Sequence, residues 1–213
     1  GMFKSPAYIK QDGHPLLMVF GPQYYKDEAW AKAFSGLKNP PNFYTLMFRH
    51  PGAYGAYSWP TPQKGAEYSF EEMRMYKDRA KEWKGSVPVV YPRFEDVYKE
   101  AGLGYGYPKI PDDNGKTLAW TIADALSQKP EYIQIATWND WGEGTQVEPS
   151  VELGYTALAT ISAAAGGAKE ADLKLAYDLW KWRSQGLSKI IGDKAHRAIA
   201  KGDYPTARKL LGK

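Results

Sequence analysis

From residue 16 to residue 149, short apolar runs alternate with amphipathic stretches, and this alternation limits the folds open to the chain more than any other feature. Leu16, Leu17, Met18, Val19 and Phe20 form one run, stopped at Gly21-Pro22 and followed by a helical stretch over 27–34. Further strands are expected over 43–49 and 56–59. A helix is expected to open at Ser69, where Ser69 and Glu72 match a capping box and Phe70, Met73, Tyr76, Ala80 and Trp83 recur on one face. Gly85 ends it. A strand over 87–93, a helix over 116–127 with Leu118, Ile122 and Leu126 on one side, and an Ile-rich strand over 132–137, expected to be buried on both faces, complete the series. Strands separated by helical crossovers build a parallel sheet with helices on its faces.

The expectation is therefore an α/β fold of the (β/α)8 TIM-barrel type. A closed barrel takes eight strands and about 250 residues, whereas the 213 residues here offer five strand segments. The chain reads as the C-terminal strands of such a barrel, with an N-terminal barrel segment lying outside it. The runs at 43–49 and 56–59 are close together for parallel neighbours, whose crossover usually takes about a dozen residues or more. The second is either a loop over the barrel mouth or a strand with different boundaries. Beyond Pro149 the pattern is helical, over 172–185, 194–200 and 206–211, and the last two resemble a repeat-type helical hairpin in a single copy. Residues 1–168 are expected to belong to the barrel and 169–213 to form a C-terminal helical extension packed on it.

Composition removes several classes of function. Between residues 169 and 213 there are eleven Lys/Arg against five Asp/Glu, but they are interleaved with Leu, Ala and Trp at helical spacing, which describes a solvated helix face. The rest of the chain has no basic stripe, so no nucleic-acid partner is expected. The absence of cysteine rules out disulfides and thiolate metal sites. No window approaches the roughly 18 consecutive apolar residues of a membrane span, and the first residues carry no signal-peptide pattern. His14 and His196 have no acidic or His neighbours at ligand spacing, a lone His50 is more often structural than catalytic, and Asp112-Asp113-Asn114-Gly115 lacks the downstream glutamate of a calcium loop and reads as a turn. No metal and no cofactor is expected. Tyr, Trp and Phe make up 15% of the chain, and such rings either fill the core or form platforms for ligands, sugars among them, with apolar faces and polar edges.

The chemistry concentrates where the strand 132–137 runs into Trp138-Asn139-Asp140-Trp141-Gly142-Glu143-Gly144-Thr145-Gln146-Val147-Glu148-Pro149. Ligands of parallel α/β folds bind at the C-terminal ends of strands. Gly142 and Gly144 allow a sharp turn that would bring Asp140 and Glu143 to one cleft. Two carboxyl groups are what glycosidic cleavage needs: one protonates the leaving oxygen, the other is a nucleophile or activates one. Adjacent acids partly shielded by rings also push their pKa values apart. The same residues would equally serve as helix caps and core tryptophans, and residue types alone leave that choice open.

The segment Thr-Trp-Asn-Asp-Trp-Gly-Glu-Gly-Thr-Gln-Val-Glu-Pro-Ser at 137–150 resembles the signature of glycoside hydrolase families 71 and 99 and their bacterial relatives. Weaker matches in the same order lie at Pro15–Pro22, at Tyr57-Ser58-Trp59-Pro60, at Val87–Tyr98 (with Tyr91, Pro92, Arg93, Phe94, Glu95 and Asp96) and at Asp113–Thr117. The resemblance implies a barrel hydrolysing α-linked glycans, mannose-containing in family 99 and α-1,3-glucan in family 71, and periplasmic, cell-surface or secreted placement. Family 99 uses two glutamates three apart: the first assists the sugar 2-hydroxyl through a 1,2-anhydro intermediate and the second is the acid/base. The matching positions are Asp140 and Glu143. An aspartate retracts the carboxylate by roughly 1.5 Å, and the Asn-Asp pair is similar to family 71, so the stereochemistry stays open.

The resemblance thus implies an oligosaccharide or polysaccharide substrate, with Glu143 and Asp140 catalytic. Trp138, Asn139, Trp141, Tyr57, Trp59, Tyr91, Glu95, Asp96 and Glu148 are the expected substrate contacts. Glu95 and Asp96 would alternatively cap a helix over 97–101. The competing function is a carbohydrate-binding barrel without catalysis.

Overall fold

The computed structural model describes residues 2–21 and 24–213; Pro22, half of the expected strand stop, lies outside the described residues. The chain divides into two compact units, Gly1–Gln146 and Val147–Lys213.

The first unit is built on a curled sheet. A short hairpin strand, β1 (Lys10–Gln11), pairs antiparallel with β2 (His14–Met18), and from there the order runs in parallel through β3 (Asn42–Leu46), β4 (Gly55–Tyr57) and β5 (Gly85–Val87). The next strand, β6 (Val89–Val90), pairs in parallel with β7 (Gln134–Ile135). The single strand expected over 87–93 is thus two. Pro88 has no N–H to give a ladder, so the pairing changes sides there: the Val87 carbonyl accepts from Ser58 N of the β4 side (3.1 Å) and the Pro88 carbonyl from Gln134 N (3.1 Å). The helices α1 (Asp27–Ser35), α2 (Ala66–Ala80) and α3 (Lys116–Ser127) supply the crossovers. The result is a partial, half-barrel version of the TIM-type α/β fold.

The close pair at 43–49 and 56–59 proves to be two parallel neighbours, β3 and β4, joined without a helix. The strands are so short that the return path is only about 10 Å. The loop doubles back on its own bonds: Met47 N donates to the Tyr57 carbonyl (2.8 Å), Tyr54 N to that of Phe43 (2.8 Å), and Thr45 Oγ1 accepts from His50 N (3.1 Å). His50 also meets Asp27 Oδ1 at 3.1 Å, a contact that ties this loop to α1.

Three further expectations are corrected. Helix α2 begins at Ala66, directly after a 3-10 turn over Pro62–Lys64, so Ser69 is inside it. The Ser69 hydroxyl is buried and committed to Tyr91 Oη (2.9 Å) and Thr61 N (3.3 Å), which leaves no free cap. Helix α3 has its expected bounds, yet it buries Thr117, Leu118, Thr121 and Ala125 and leaves Leu126 exposed. Small residues let it close on the β6 segment, and Thr121 Oγ1 donates to the carbonyl of Tyr91, the residue after that strand (3.1 Å). The strand 132–137 is not buried on both faces: Ile133 and Ile135 are exposed. Among the described residues β7 pairs with β6 alone, and no helix of this unit follows it in the chain.

Apolar packing fills both sides of the sheet. Tyr44, Tyr57 and Val87 cluster with Leu16, Met18 and Leu46, while Phe43, the alternate residue of β3, meets Trp30 and Phe34 of α1. Met73, Val89, Tyr91, Phe94, Ile110 and Ala136 form the second cluster, covered by Phe70 and Trp120. At the N-terminal ends of the strands sits a polar knot. Gln11, 5% exposed, donates to Glu131 Oε2 (2.5 Å), accepts from Tyr44 Oη (2.6 Å), and offers its carbonyl to Asn42 Nδ2 (2.9 Å). Room for the Tyr44 ring comes from two glycines: a Cβ on Gly55 would collide with the Gly85 carbonyl, and one on Gly85 with the Tyr44 hydroxyl.

The second unit is helical: α4 (Thr156–Ala164), α5 (Glu170–Ser184), α6 (Lys189–Ala200) and α7 (Tyr204–Leu211). Leu175, Leu179, Ala195, Ala198, Ala207 and Leu211 form its core. Asp203 caps α7 by accepting from Thr206 N (3.2 Å), with Pro205 in the first turn. Among the described residues no helix is long and apolar enough to cross a membrane.

Candidate active site

Beyond β7 the chain leaves the C-terminal end of the sheet in a loop pinched at its neck. Thr137 N donates to the Thr145 carbonyl (3.1 Å), and the two threonine hydroxyls meet at 2.8 Å. Inside that neck the backbone is held by short side chains: Asp140 N donates to Thr137 Oγ1 (2.9 Å), and Glu143 N donates to Asp140 Oδ1 (3.0 Å). One oxygen of Asp140 is therefore a loop cap. The carboxylate still acts on Glu143 through space, raising its pKa.

The loop docks along the segment that follows β6. Glu95 N donates to the Glu143 carbonyl (2.9 Å) and Val97 N to that of Gly142 (3.0 Å). Gly144 makes the approach possible: its φ is +64°, and a Cβ there would lie 2.7 Å from the Glu95 carbonyl oxygen. With its amide turned so that both ends are satisfied, Gln146 accepts from Arg93 Nη2 (2.8 Å) and donates to the Gly144 carbonyl (3.1 Å). Burial pulls the Arg93 pKa below its usual range, while Asp112 and Glu95 act the other way.

Glu143 sits half-buried in this junction. Burial raises its carboxyl pKa above the ordinary 4.5, the charges of Asp140 and Asp96 raise it further, and a hydrogen bond from Tyr98 opposes them. Tyr98 Oη donates to Glu143 Oε1 at 2.6 Å. Asp96 shapes the loop carrying that tyrosine, with Oδ1 accepting from Tyr98 N (3.0 Å) and Oδ2 from Tyr107 N (2.7 Å). No helix forms over 97–101; Asp96 caps a loop instead. Glu95 points its carboxylate to Lys109 (2.6 Å).

The structure thus gathers Asp140, Glu143, Glu95 and Asp96 into two interlocked loops. Trp138 and Trp141, at 51% and 47% exposed, stand on the first of them with exposed Asn139 between. Tyr57 and Tyr91 are elsewhere. At 3% and 0% exposed they belong to the core, and desolvation pushes both phenols up to about 12. Trp59 is half-buried, edge-on to Phe20 at 5.5 Å. Glu148 is half-buried at the start of the second unit. Sequence reasoning missed Tyr98 and its companions Tyr105 and Tyr107, whose three rings contact one another at 5.6–6.3 Å. The signal available was their place in the loop after a strand's C-terminal end. Among the described residues no three His, Asp or Glu side chains are grouped to hold a metal ion.

No family model matches the chain, and no curated protein matches it. Solved structures do. The family 99 endo-α-mannosidase from Bacteroides thetaiotaomicron, in complex with bis-tris-propane, aligns over 68% of this chain and 51% of its own length with a TM-score of 0.54 and 24% identity. A second structure of that enzyme covers 68% and 48% of the two chains at 23% identity and the same TM-score of 0.54. A protein described as glycoside hydrolase-like covers 76% and 57% at 15% identity, again with a TM-score of 0.54. The chain spans about half the length of these neighbours. What is shared at such identity is the fold, a partial α/β barrel of the kind glycoside hydrolases use.

Proposed function

We propose that this chain carries the acid/base centre of a glycoside hydrolase acting on an α-linked glycan, with Glu143 as the proton donor and Asp140 as the second carboxylate. The observation that carries the reading is Glu143 itself, a half-buried carboxyl at the C-terminal end of a barrel strand whose surroundings favour its neutral form. A carboxyl whose neutral form is favoured in this way keeps its proton to higher pH than a free one and can hand it to the glycosidic oxygen as the C–O bond breaks. Water then supplies the hydroxyl of the new reducing end, and Glu143 recovers its proton. The exposed Trp138 and Trp141 suit the apolar faces of sugar rings. The fold neighbours include an endo-α-mannosidase, and mannose- and glucose-based α-linked glycans are the first substrates to test.

A second reading, carbohydrate binding without catalysis, draws on the bond between Asp140 Oδ1 and Glu143 N, which commits part of the second carboxylate to the loop. Incubation with α-mannan and α-1,3-glucan oligosaccharides, read by mass spectrometry, separates the two. New reducing ends support hydrolysis; calorimetric binding without product supports the second reading.

A further inference from the structure

We infer that Tyr98 is a positioning residue that occupies one oxygen of Glu143 and so fixes which oxygen carries the transferable proton. The inference rests on the acid/base reading of Glu143. Its ground is geometric: Tyr98 Oη donates to Glu143 Oε1 at 2.6 Å, across 45 residues of sequence. The phenol donates its only hydrogen to Oε1, and in the proposal it keeps that direction in the neutral acid as well as in the carboxylate. In the neutral acid the hydrogen therefore resides on Oε2, and Oε2 is the atom that faces the glycosidic oxygen. When the acid gives up that proton, the bond at Oε1 remains and holds the carboxylate in place for its return.

The tyrosine is built to do this. Its loop is closed at the root by the Phe94–Ile110 bridge, with both N–H···O bonds at 2.9 Å. Asp96 grips the loop at Tyr98 N and Tyr107 N, and the docking of Glu95 and Val97 on the 142–143 backbone fixes phenol and carboxyl in one frame. The titratable groups facing Glu143 are Asp140 on its own loop and Tyr98 and Asp96 on the facing one; Tyr105 faces Tyr98 in turn. Glu95 on the same segment is paired with Lys109. Of these, only Tyr98 donates a hydrogen bond that favours the charged form of Glu143.

The test uses the whole chain labelled with 13C at the glutamate side-chain carboxyl, Glu143 being the resonance lost in Glu143→Gln. In Tyr98→Phe, which keeps the ring, the Glu143 midpoint is expected to move to higher pH while the other glutamate lines stay in place. An unchanged or lower midpoint overturns the inference. Should Tyr98→Phe fail to fold, the phenol of Tyr98 gives the reading from the other side. In the wild type it stays protonated to higher pH than an ordinary tyrosine, through its bond to Glu143, and falls back in Glu143→Gln; a Tyr98 titration that is the same in the wild type and in Glu143→Gln overturns the inference.

Where the wild type hydrolyses a glycan, the alkaline limb of the Tyr98→Phe profile moves up, and kcat falls by about tenfold with KM retained, as expected for misplacing rather than deleting a reacting group. A loss of rate with an unmoved profile means a merely structural tyrosine and overturns it. A titration shift in a chain that hydrolyses nothing would leave the Tyr98–Glu143 link standing and remove the acid/base reading alone.

Discussion

β7 has a glutamate near each end, and each is linked to a tyrosine distant in the chain, Tyr44 or Tyr98, through a different construction. Before the strand, Glu131 is separated from Tyr44 by the buried Gln11, which donates to the carboxylate with its amide nitrogen and accepts from the phenol with its oxygen. After the strand, Tyr98 touches Glu143 directly. At the base the buried Gln11 amide joins Tyr44 to Glu131 with both of its ends, and glycines at 55 and 85 let the backbones close over the Tyr44 ring. At the mouth, two further carboxylates, Asp140 and Asp96, press on the glutamate and desolvation adds to them. The base spends its hydrogen bonds on joining β1 to the segment ahead of β7, which is work for stability. The mouth holds a carboxyl whose charge its surroundings oppose, and such arrangements cluster at functional sites.

Substitutions at the two ends should separate these roles. The largest stability effect is expected from Gly144→Ala, where the left-handed backbone and the collision with the Glu95 carbonyl cost about 1–3 kcal/mol of strain and undock the two mouth loops. Thermal unfolding should show the loss together with the loss of any glycan hydrolysis. Gln11→Ala orphans the buried Tyr44 hydroxyl at the base, a loss of about 1–3 kcal/mol, with hydrolysis and the Glu143 titration unmoved. A change in the Glu143 midpoint in that variant would break the separation of the two ends. Tyr44→Phe removes one bond of the knot and should cost about 1 kcal/mol.

The smallest effect is one of pH. Because the folded-state pKa of Glu143 is raised, its ionisation favours the unfolded chain: the stability it contributes is complete below the ordinary carboxyl range and is lost as pH rises through the folded value. Glu143→Gln should therefore match the wild type in acid and melt slightly higher at neutral pH. A mutant less stable at neutral pH than in acid, relative to wild type, would contradict the sign.

How much of this was legible in the sequence depends on the range of the interactions involved. The bounds of α3 are local, set by a turn in which Asp112 Oδ2 accepts from Gly115 N (2.9 Å), and the pattern placed them correctly. Gly142 and Gly144 announced a tight loop. The division of the strand at Pro88 was written in the proline, but which side each half would pair on depends on β4 and β7, far away in the chain. Tyr57 and Tyr91 were expected as substrate contacts because a tyrosine near an apolar run carries no mark of burial; Tyr91 is in the core because Ser69 and Met73 of α2 pack on it, and Tyr57 because it clusters with Tyr44 and Val87 of the neighbouring strands. The exposure of Ile133 and Ile135 reflects what does not pack on β7, which no local pattern records. Tyr98 escaped notice for the same reason: its partner is 45 residues away.

The central claim, that Glu143 is the proton donor, is tested most directly by comparing wild type and Glu143→Gln on the same α-linked oligosaccharide, with product release by mass spectrometry and binding by calorimetry. The account predicts a fall in kcat of about 10²–10⁴-fold, the usual contribution of a general acid, with binding largely retained. Undiminished turnover in Glu143→Gln would contradict it.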